Sequence, residues 1–312
     1  MFFRNAHPYR LHGDHSISFE TLQDAVAEKC SRPLGGSEPT RMGWTAPAGR
    51  NSEILVHEVQ GQRLLTALHQ ERKLPGAVVK EEVEERCTEL ERTTGQAPNR
   101  RQKQEIKEQV YEELLPRAFV VSKRIDVWWD PARNLICINT GSSKQAESAL
   151  DLLRETLGSL KVTPLATKAL PVRRMTEWLN DAGTRPAWLA LGEKATLQAR
   201  DESAFVAKQA DLEGEEVQTM LASGHQATQL AINAESLASL TLTDGFTLKG
   251  LKFDDALIEE ANDMDDGGDA IGRLETDFIL MTSALNELID HLVDALDGEA
   301  VAGEAGQDQA AA

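Results

Sequence analysis

Between positions 100 and 124 the sequence concentrates basic side chains: Arg100, Arg101, Lys103, Lys107, Arg117, Lys123 and Arg124. Ammonium and guanidinium groups at that density neutralise phosphates and release their counterions, which is the chemistry of nucleic-acid backbone binding. The first four open the segment RRQKQEIKEQVYEELL, and Glu112 and Glu113 close it. This order opposes a helix dipole, which favours acids first and bases last, so something other than helix stability would select it. A solvated, salt-bridged helix is the alternative reading of the same residues. Trp128 and Trp129 follow at once and, as neighbours on a strand, face opposite sides. One is expected in the core, and the other is a candidate for exposure and stacking or contact, with burial as the alternative. Phe119, just past Pro116 and Arg117, is either an ordinary core residue or a candidate interface anchor.

Catalytic and metal chemistry finds little support. There is no G-x-S-x-G, no G-x-x-x-x-G-K-[ST] and no G-x-G-x-x-G. His57-Glu58 begins like a zinc-protease motif, but Gly61 stands where the second histidine must be. Asp263, Asp265, Gly268 and Asp269 resemble a calcium loop, yet Gly267 and Leu274 occupy ligand positions and Glu275 falls one place late. A solvated acidic loop is expected there. His7, His12 and His15 lie on one strand segment whose alternation would split them. No enzyme, metal or cofactor is therefore expected. Cys30, Cys87 and Cys137 are too scattered for a disulfide or zinc framework, which suits a reducing cytoplasm.

The elements that position these residues alternate between strand and helix periods, an α+β pattern. A first strand within residues 1–15 carries Phe3, Tyr9 and Leu11. Ser18 caps the helix FETLQDAVAEKC, and the proline-rich PLGGSEPTRMGWTAPAGR is restricted to loop or edge strand. Ile54–Gln60 and Arg63–His69 form a hairpin about Gly61-Gln62. From Pro75 a helix presents Val79, Val83, Cys87 and Leu90. It leads through GQAPN into the basic helix, whose stripe is Ile106, Val110 and Leu114 with Tyr111 and Leu115 beside it. The two make a charged helical hairpin projecting from the body. The strands of VVSKRIDVWWD–PARN–LICINTG follow.

Beyond these come a helix after Ser142-Ser143, the strand KVTPLA, a short helix TEWLNDAG and the strand AWLALG. A strand at Phe205–Asp211, the helix EGEEVQTMLASG and strands at Ala227–Asn233, Ser239–Thr243 and Phe246–Phe253 precede a last helix. In that helix Phe278, Met281, Leu285, Leu288, Leu292 and Leu296 recur three and four apart, for a core or a dimer face. We expect a central body of residues 1–74 and 118–170, the hairpin at 75–117, a second α+β region at 171–297 and a disordered tail at 298–312. No run approaches the length of a membrane span.

The net charge of −18 would ordinarily argue against nucleic acid. Its distribution does not: from Leu251 onward stand 17 acids and two bases, so the first 250 residues carry only −3. A local basic face remains compatible with the composition.

Several blocks in order resemble the bacterial recombination-associated RdgC family: MGWTAPAG (42–49), LLPRAF (114–119), SSKQAESALDLLRETLGSLKVTPL (142–165), TEWL (176–179), KQADLEGEEV (208–217), LKGLKF (248–253) and TDFILMTSALNELI (276–289). The resemblance covers nearly the whole chain apart from the final tail. It implies a ring-shaped homodimer around a basic hole that binds duplex DNA without sequence preference and restrains RecA, without catalysis, in the cytoplasm at the nucleoid. On this chain it implies DNA contacts from Arg100, Arg101 and Lys103 at the helix tip, and from Lys208, Lys249 and Lys252; Lys107, Arg117 and Lys123 complete the candidate set. Phe119 would help close the dimer. This chain departs from the family's pattern at Gly224-His225, at Gly250 and at Asn233, each lowering charge or stacking toward DNA. The alternative from another class is a protein-interaction module that binds a recombination or replication protein directly.

Overall fold

The computed structural model describes residues 2–13, 17–49, 52–263 and 270–300, with backbone alone at Asp263. His15, the acidic loop around Asp265 to Asp269 and the tail beyond 300 lie outside the described residues, so the calcium-like spacing and the tail expectation fall there.

Two antiparallel sheets share one strand. In the first the order is β2 (Thr40–Thr45), β4 (Gln62–Lys73), β5 (Phe119–Asp130), β6 (Leu135–Ile138) and β1 (Asn5–Leu11). β3 (Val56–Val59) shares the outer edge of β4 with β2, and β7 (Val162–Pro164) lies on β1. β2 is thus an edge strand, as its flanking prolines require. The second sheet runs β12 (Leu248–Phe253), β11 (Ala238–Thr243), β10 (Gln226–Ala234), β8 (Leu189–Gln198) and β9 (Ala204–Lys208). The seam is short: Asn5 pairs with Lys249 and Ala6 with Leu248.

Two cores follow from this arrangement. α1 (Phe19–Glu28) and α4 (Ser143–Leu157) cover one face of the first sheet, burying Tyr9, Leu22, Trp44, Trp129 and Leu150 together. α5 (Pro171–Asn180), α6 (Glu215–Ala222) and α8 (Ala270–Ala295) contribute to a second core that runs beneath both sheets. It holds Leu64, Trp128, Cys137, Trp178, Ile232, Phe278 and Leu285. Both tryptophans of the Trp128-Trp129 pair are therefore 0 % exposed, so neither ring is free for the stacking or contact considered for one of them. The sheet is covered on both sides there, so alternation sends each ring into a different core. Trp128 Nε1 donates to Gln62 Oε1 at 2.9 Å, while the Arg63 guanidinium sits 5.0 Å from the Trp129 ring centre. Burial pushes the Cys137 thiol pKa well up, which makes it an inert core residue. The last long helix, α8, is a core element, with Leu274, Phe278, Met281, Leu285 and Leu288 buried.

α2 (Gly76–Thr94) and α3 (Arg100–Leu114) form the expected helical hairpin. Gly95 ends α2 in the left-handed conformation at φ 72°, and Asn99 with Gln102 closes a capping box on α3. Arg86 links the pair, reaching Glu113 at 2.6 Å. Within these two helices only Val79 and Val110 are buried, and Tyr111, expected beside the stripe, is exposed.

Three details differ from the sequence reading. The β3–β4 turn is Gln60-Gly61, at φ 52° and 78°, one residue earlier than expected. Two successive positive φ values are those of a type I′ turn, which twists with its strands. A helix α7 (Asp255–Asp263) precedes the acidic loop where none was anticipated. Finally, residues 298–300 are held: Ala300 N donates to Ala166 O at 2.9 Å, and Glu299 forms a two-pronged ion pair with Arg10. Among the described residues no helix is long and apolar enough to cross a membrane.

Candidate nucleic-acid interface

The second sheet buries only one face. Leu230, Ile232, Leu240, Leu242, Leu248, Leu251 and Phe253 point into the core. Register then fixes what the opposite face carries. Asn233 pairs with Ser239 and Ala231 with Thr241 on β10–β11, and Ser239 pairs with Lys252 and Thr241 with Lys249 on β11–β12. At the far edge Lys194 of β8 stands directly opposite Lys208 of β9, with Thr196 beside Val206. Small and polar residues therefore surround four lysines, and the one acid within these five strands is Glu193, exposed beside Lys194 at the β8 irregularity. Lys194, Lys208 and Lys252 are exposed and Lys249 is half-buried. None of the four is in an ion pair among the described residues.

Two irregularities build this face. Lys249 and Lys252 are three residues apart and would alternate sides on a regular strand. The β11–β12 register shifts between Ser239 and Thr241, and the extra residue on β12 is Gly250 at φ 63°. A bulge with a left-handed glycine turns both lysines outward. On β8 a similar shift faces Ala231, where a Cβ on Gly192 would lie 2.8 Å from the Ala231 Cβ. Only glycine fits there. Lys194 was missed in the sequence because nothing in AWLALGEKATLQ marks its pairing with Lys208; that follows from the register alone.

The remaining candidates lie in other places. Arg100, Arg101, Lys103 and Lys107 are all exposed on α3, and Arg101 is committed to Glu105 at 3.0 Å. Arg117 is exposed beside Glu113, whose carboxyl it helps, after Arg86, to hold below the usual range. Lys123 Nζ donates to Gln145 Oε1 at 2.6 Å, near the start of α4. Arg124, on the other side of β5, instead donates to the carbonyls of Ala46 and Pro47 and acts structurally. Phe119, at the start of β5, is 86 % exposed with Val121 two residues on, on the same side of the strand. A benzyl side chain so exposed at the end of a paired strand is an unusual use of apolar surface.

At the seam Lys249 faces His7, Tyr9 and the start of α4 across a small cavity. Burial first, and the Lys249 charge second, lower the His7 pKa from 6.5. Burial and the Glu147 carboxylate raise that of Tyr9, whose hydroxyl donates to Glu147 at 3.3 Å.

Fold and site together define an α+β protein of two antiparallel sheets joined through β1, one presenting an uncovered lysine face. The family model described as "Putative exonuclease, RdgC" matches residues 1–299, and the chain belongs to the RdgC family. It is 37 % identical over 301 residues to the recombination-associated protein RdgC of Tolumonas auensis, covering 96 % of this chain and 99 % of the relative. The proteins of the same name from Aeromonas hydrophila and Pseudomonas fluorescens are 36 % and 35 % identical, each over 96 % of this chain and 99 % and 98 % of the relative. Those names place the relatives in recombination and state no catalytic function. Among the described residues no group of three His, Cys, Asp or Glu side chains could hold a metal ion.

Proposed function

We propose that this chain is a non-catalytic, sequence-independent duplex-DNA-binding protein that closes as a homodimeric ring on DNA and modulates recombination by restraining RecA. The observation that carries this reading is the lysine face. A chain of charge −18 keeps four lysines without an ion pair among the described residues on one face of the second sheet, with Glu193 the one acid in those five strands. Lys194 and Lys208 even stand opposite each other, an arrangement that costs a few tenths of a kcal/mol or more. A polyanion across that face removes the cost. The contacts are lysine ammonium groups, which act as point charges on phosphates and carry no base code, so sequence independence follows. In this reading the hairpin at 75–117 adds Arg100, Arg101, Lys103 and Lys107 at a tip, Arg117 and Lys123 line the path toward it, and Phe119 closes one contact between two copies. A body of residues 1–74 and 118–170, and a second region at 171–297, form the arc of each half-ring. Occupancy of duplex DNA by such a ring blocks filament growth or strand exchange.

The test is fluorescence anisotropy with unrelated duplexes of equal length across a salt series, with the mass measured in the same buffer. A dimer that binds all sequences equally, with affinity falling linearly in log–log salt, supports the reading. Absence of binding at low salt by an intact dimer favours direct binding to a recombination protein instead.

A further inference from the structure

We propose that the pocket where β1, the start of α4 and the β11–β12 turn meet binds one unpaired nucleotide, its phosphate at Lys249 and α4 and its base at Glu147 and Asp244. The cavity is about 320 Å³ and is lined by His7, Tyr9, Ser143, Glu147, Asp244 and Lys249, among others. That size lies at the small end of ligand sites. Its wall holds an unsatisfied group: His7 is 5 % exposed, its ring is stacked on Tyr9, and its Nδ1 is buried without a partner. A buried imidazole nitrogen left unpaired carries a desolvation cost, and a turn of the ring toward the cavity would let a ligand atom remove it.

The pocket holds both donors and acceptors. The N-cap Ser142 gives no side-chain bond to the first amides of α4, the end of a helix that receives anions. The Ser143 hydroxyl and the unpaired Lys249 ammonium lie beside it. Gly141 leaves room for Asn5, since a Cβ there would lie 3.2 Å from Asn5 Oδ1. One turn along α4 from Ser143, Glu147 accepts the Tyr9 hydroxyl through Oε1, and on the β11–β12 turn Asp244 accepts Gly245 N at 2.9 Å through Oδ1. The second oxygen of each carboxylate has no partner among the described residues.

Two carboxylates repel a bare anion, so free phosphate fits the pocket poorly. A nucleotide fits both kinds of group. Guanine, adenine and cytosine each present an exocyclic amino donor to a carboxylate, and guanine adds N1–H beside it, whereas thymine presents a single N3–H flanked by two carbonyl oxygens that the carboxylates repel. Lys249 also belongs to the lysine face, so a strand end or gap in DNA lying there would place its unpaired nucleotide beside the opening. In that setting the inference rests on the proposed DNA binding.

Isothermal titration calorimetry of the full chain with dGMP, dTMP and inorganic phosphate tests it, with duplex binding measured in parallel. The expected result is saturable dGMP binding, about tenfold tighter than dTMP, and no phosphate binding. Lys249→Ala should abolish dGMP binding, and Asp244→Asn or Glu147→Gln should reduce it toward the dTMP level. Using both carboxylate variants guards against disturbance of Tyr9 by one of them. Failure of dGMP to saturate by about 10 mM, or equal affinity for dTMP, overturns the site. If that happens while duplexes still bind, the nucleotide site alone is wrong. If dGMP binds and duplexes do not, the site stands and the duplex-binding proposal fails.

Discussion

Lys249 and Lys252 lie three residues apart on β12, yet both face away from the core, opposite Thr241 and Ser239 respectively. The extra residue that makes this possible is Gly250, at φ 63° with nothing within 4 Å of where its Cβ would be. The constraint is conformational and not steric. Gly250→Ala should therefore destabilise the protein by roughly 1–2 kcal/mol, the cost of a left-handed non-glycine residue. Urea denaturation measures this, and weaker duplex binding should accompany it because the two lysines lose their shared aim. An unchanged midpoint would show that the bulge relaxes freely.

Lys194 and Lys208 are directly paired across β8 and β9, and neither is in an ion pair among the described residues. Lys194→Ala should lower the salt dependence of duplex binding by about one unit of log–log slope, or slightly less. It should also leave stability equal or slightly higher, because a like-charge pair is removed. Arg124→Ala is the control: its guanidinium binds Ala46 O and Pro47 O, so it should cost stability and leave the slope alone.

Sequence patterning revealed most of the elements because local physics forms them. The Ser18 cap, the α3 stripe through Val110 and the alternation of Ile125, Val127 and Trp129 all lie within a few residues of each other in sequence. What stayed hidden depends on long-range pairing. The lysine face needs the registers of five strands and a bulge at Gly250, none of which has a local signature. Trp128 and Trp129 show the same limit: alternation separates the rings, but only the helices on both sides of the sheet decide that both are buried. The seam pocket gathers residues from positions 7 to 249, so its polar side chains were unconnected in the sequence.

Phe119 is 86 % exposed and contributes nothing to either core. Phe119→Ser should leave the thermal midpoint within about one degree while shifting the oligomer toward a smaller mass, because surface positions without partners change stability little. Analytical ultracentrifugation reads the mass. A lowered midpoint with unchanged mass would assign the ring an internal packing role instead.

His7 supplies a pH dependence with a defined sign. Its folded pKa lies below 6.5, first by burial and then by the Lys249 charge. Above pH 6.5 the imidazole is neutral in folded and unfolded chains, and its contribution is fully present. As pH falls below 6.5 the unfolded chain takes up a proton that the folded chain resists, so stability is lost toward the folded pKa. Lys249→Met should reduce this loss without abolishing it, since burial persists. Urea midpoints at about pH 7.5 and about pH 5.5 measure the difference, and an identical loss in both proteins would exclude coupling between Lys249 and His7.

The most direct test of the lysine face replaces Lys194, Lys208, Lys249 and Lys252 with alanine together and measures duplex binding against salt. We predict a dimer of unchanged mass whose log–log slope falls by about three to four units, at roughly 0.9 for each phosphate that is no longer neutralised. A variant of Arg100, Arg101 and Lys103 provides the comparison for the tip. If the quadruple variant binds duplex DNA with the affinity and slope of the parent, the lysine face does not hold DNA and the account is wrong.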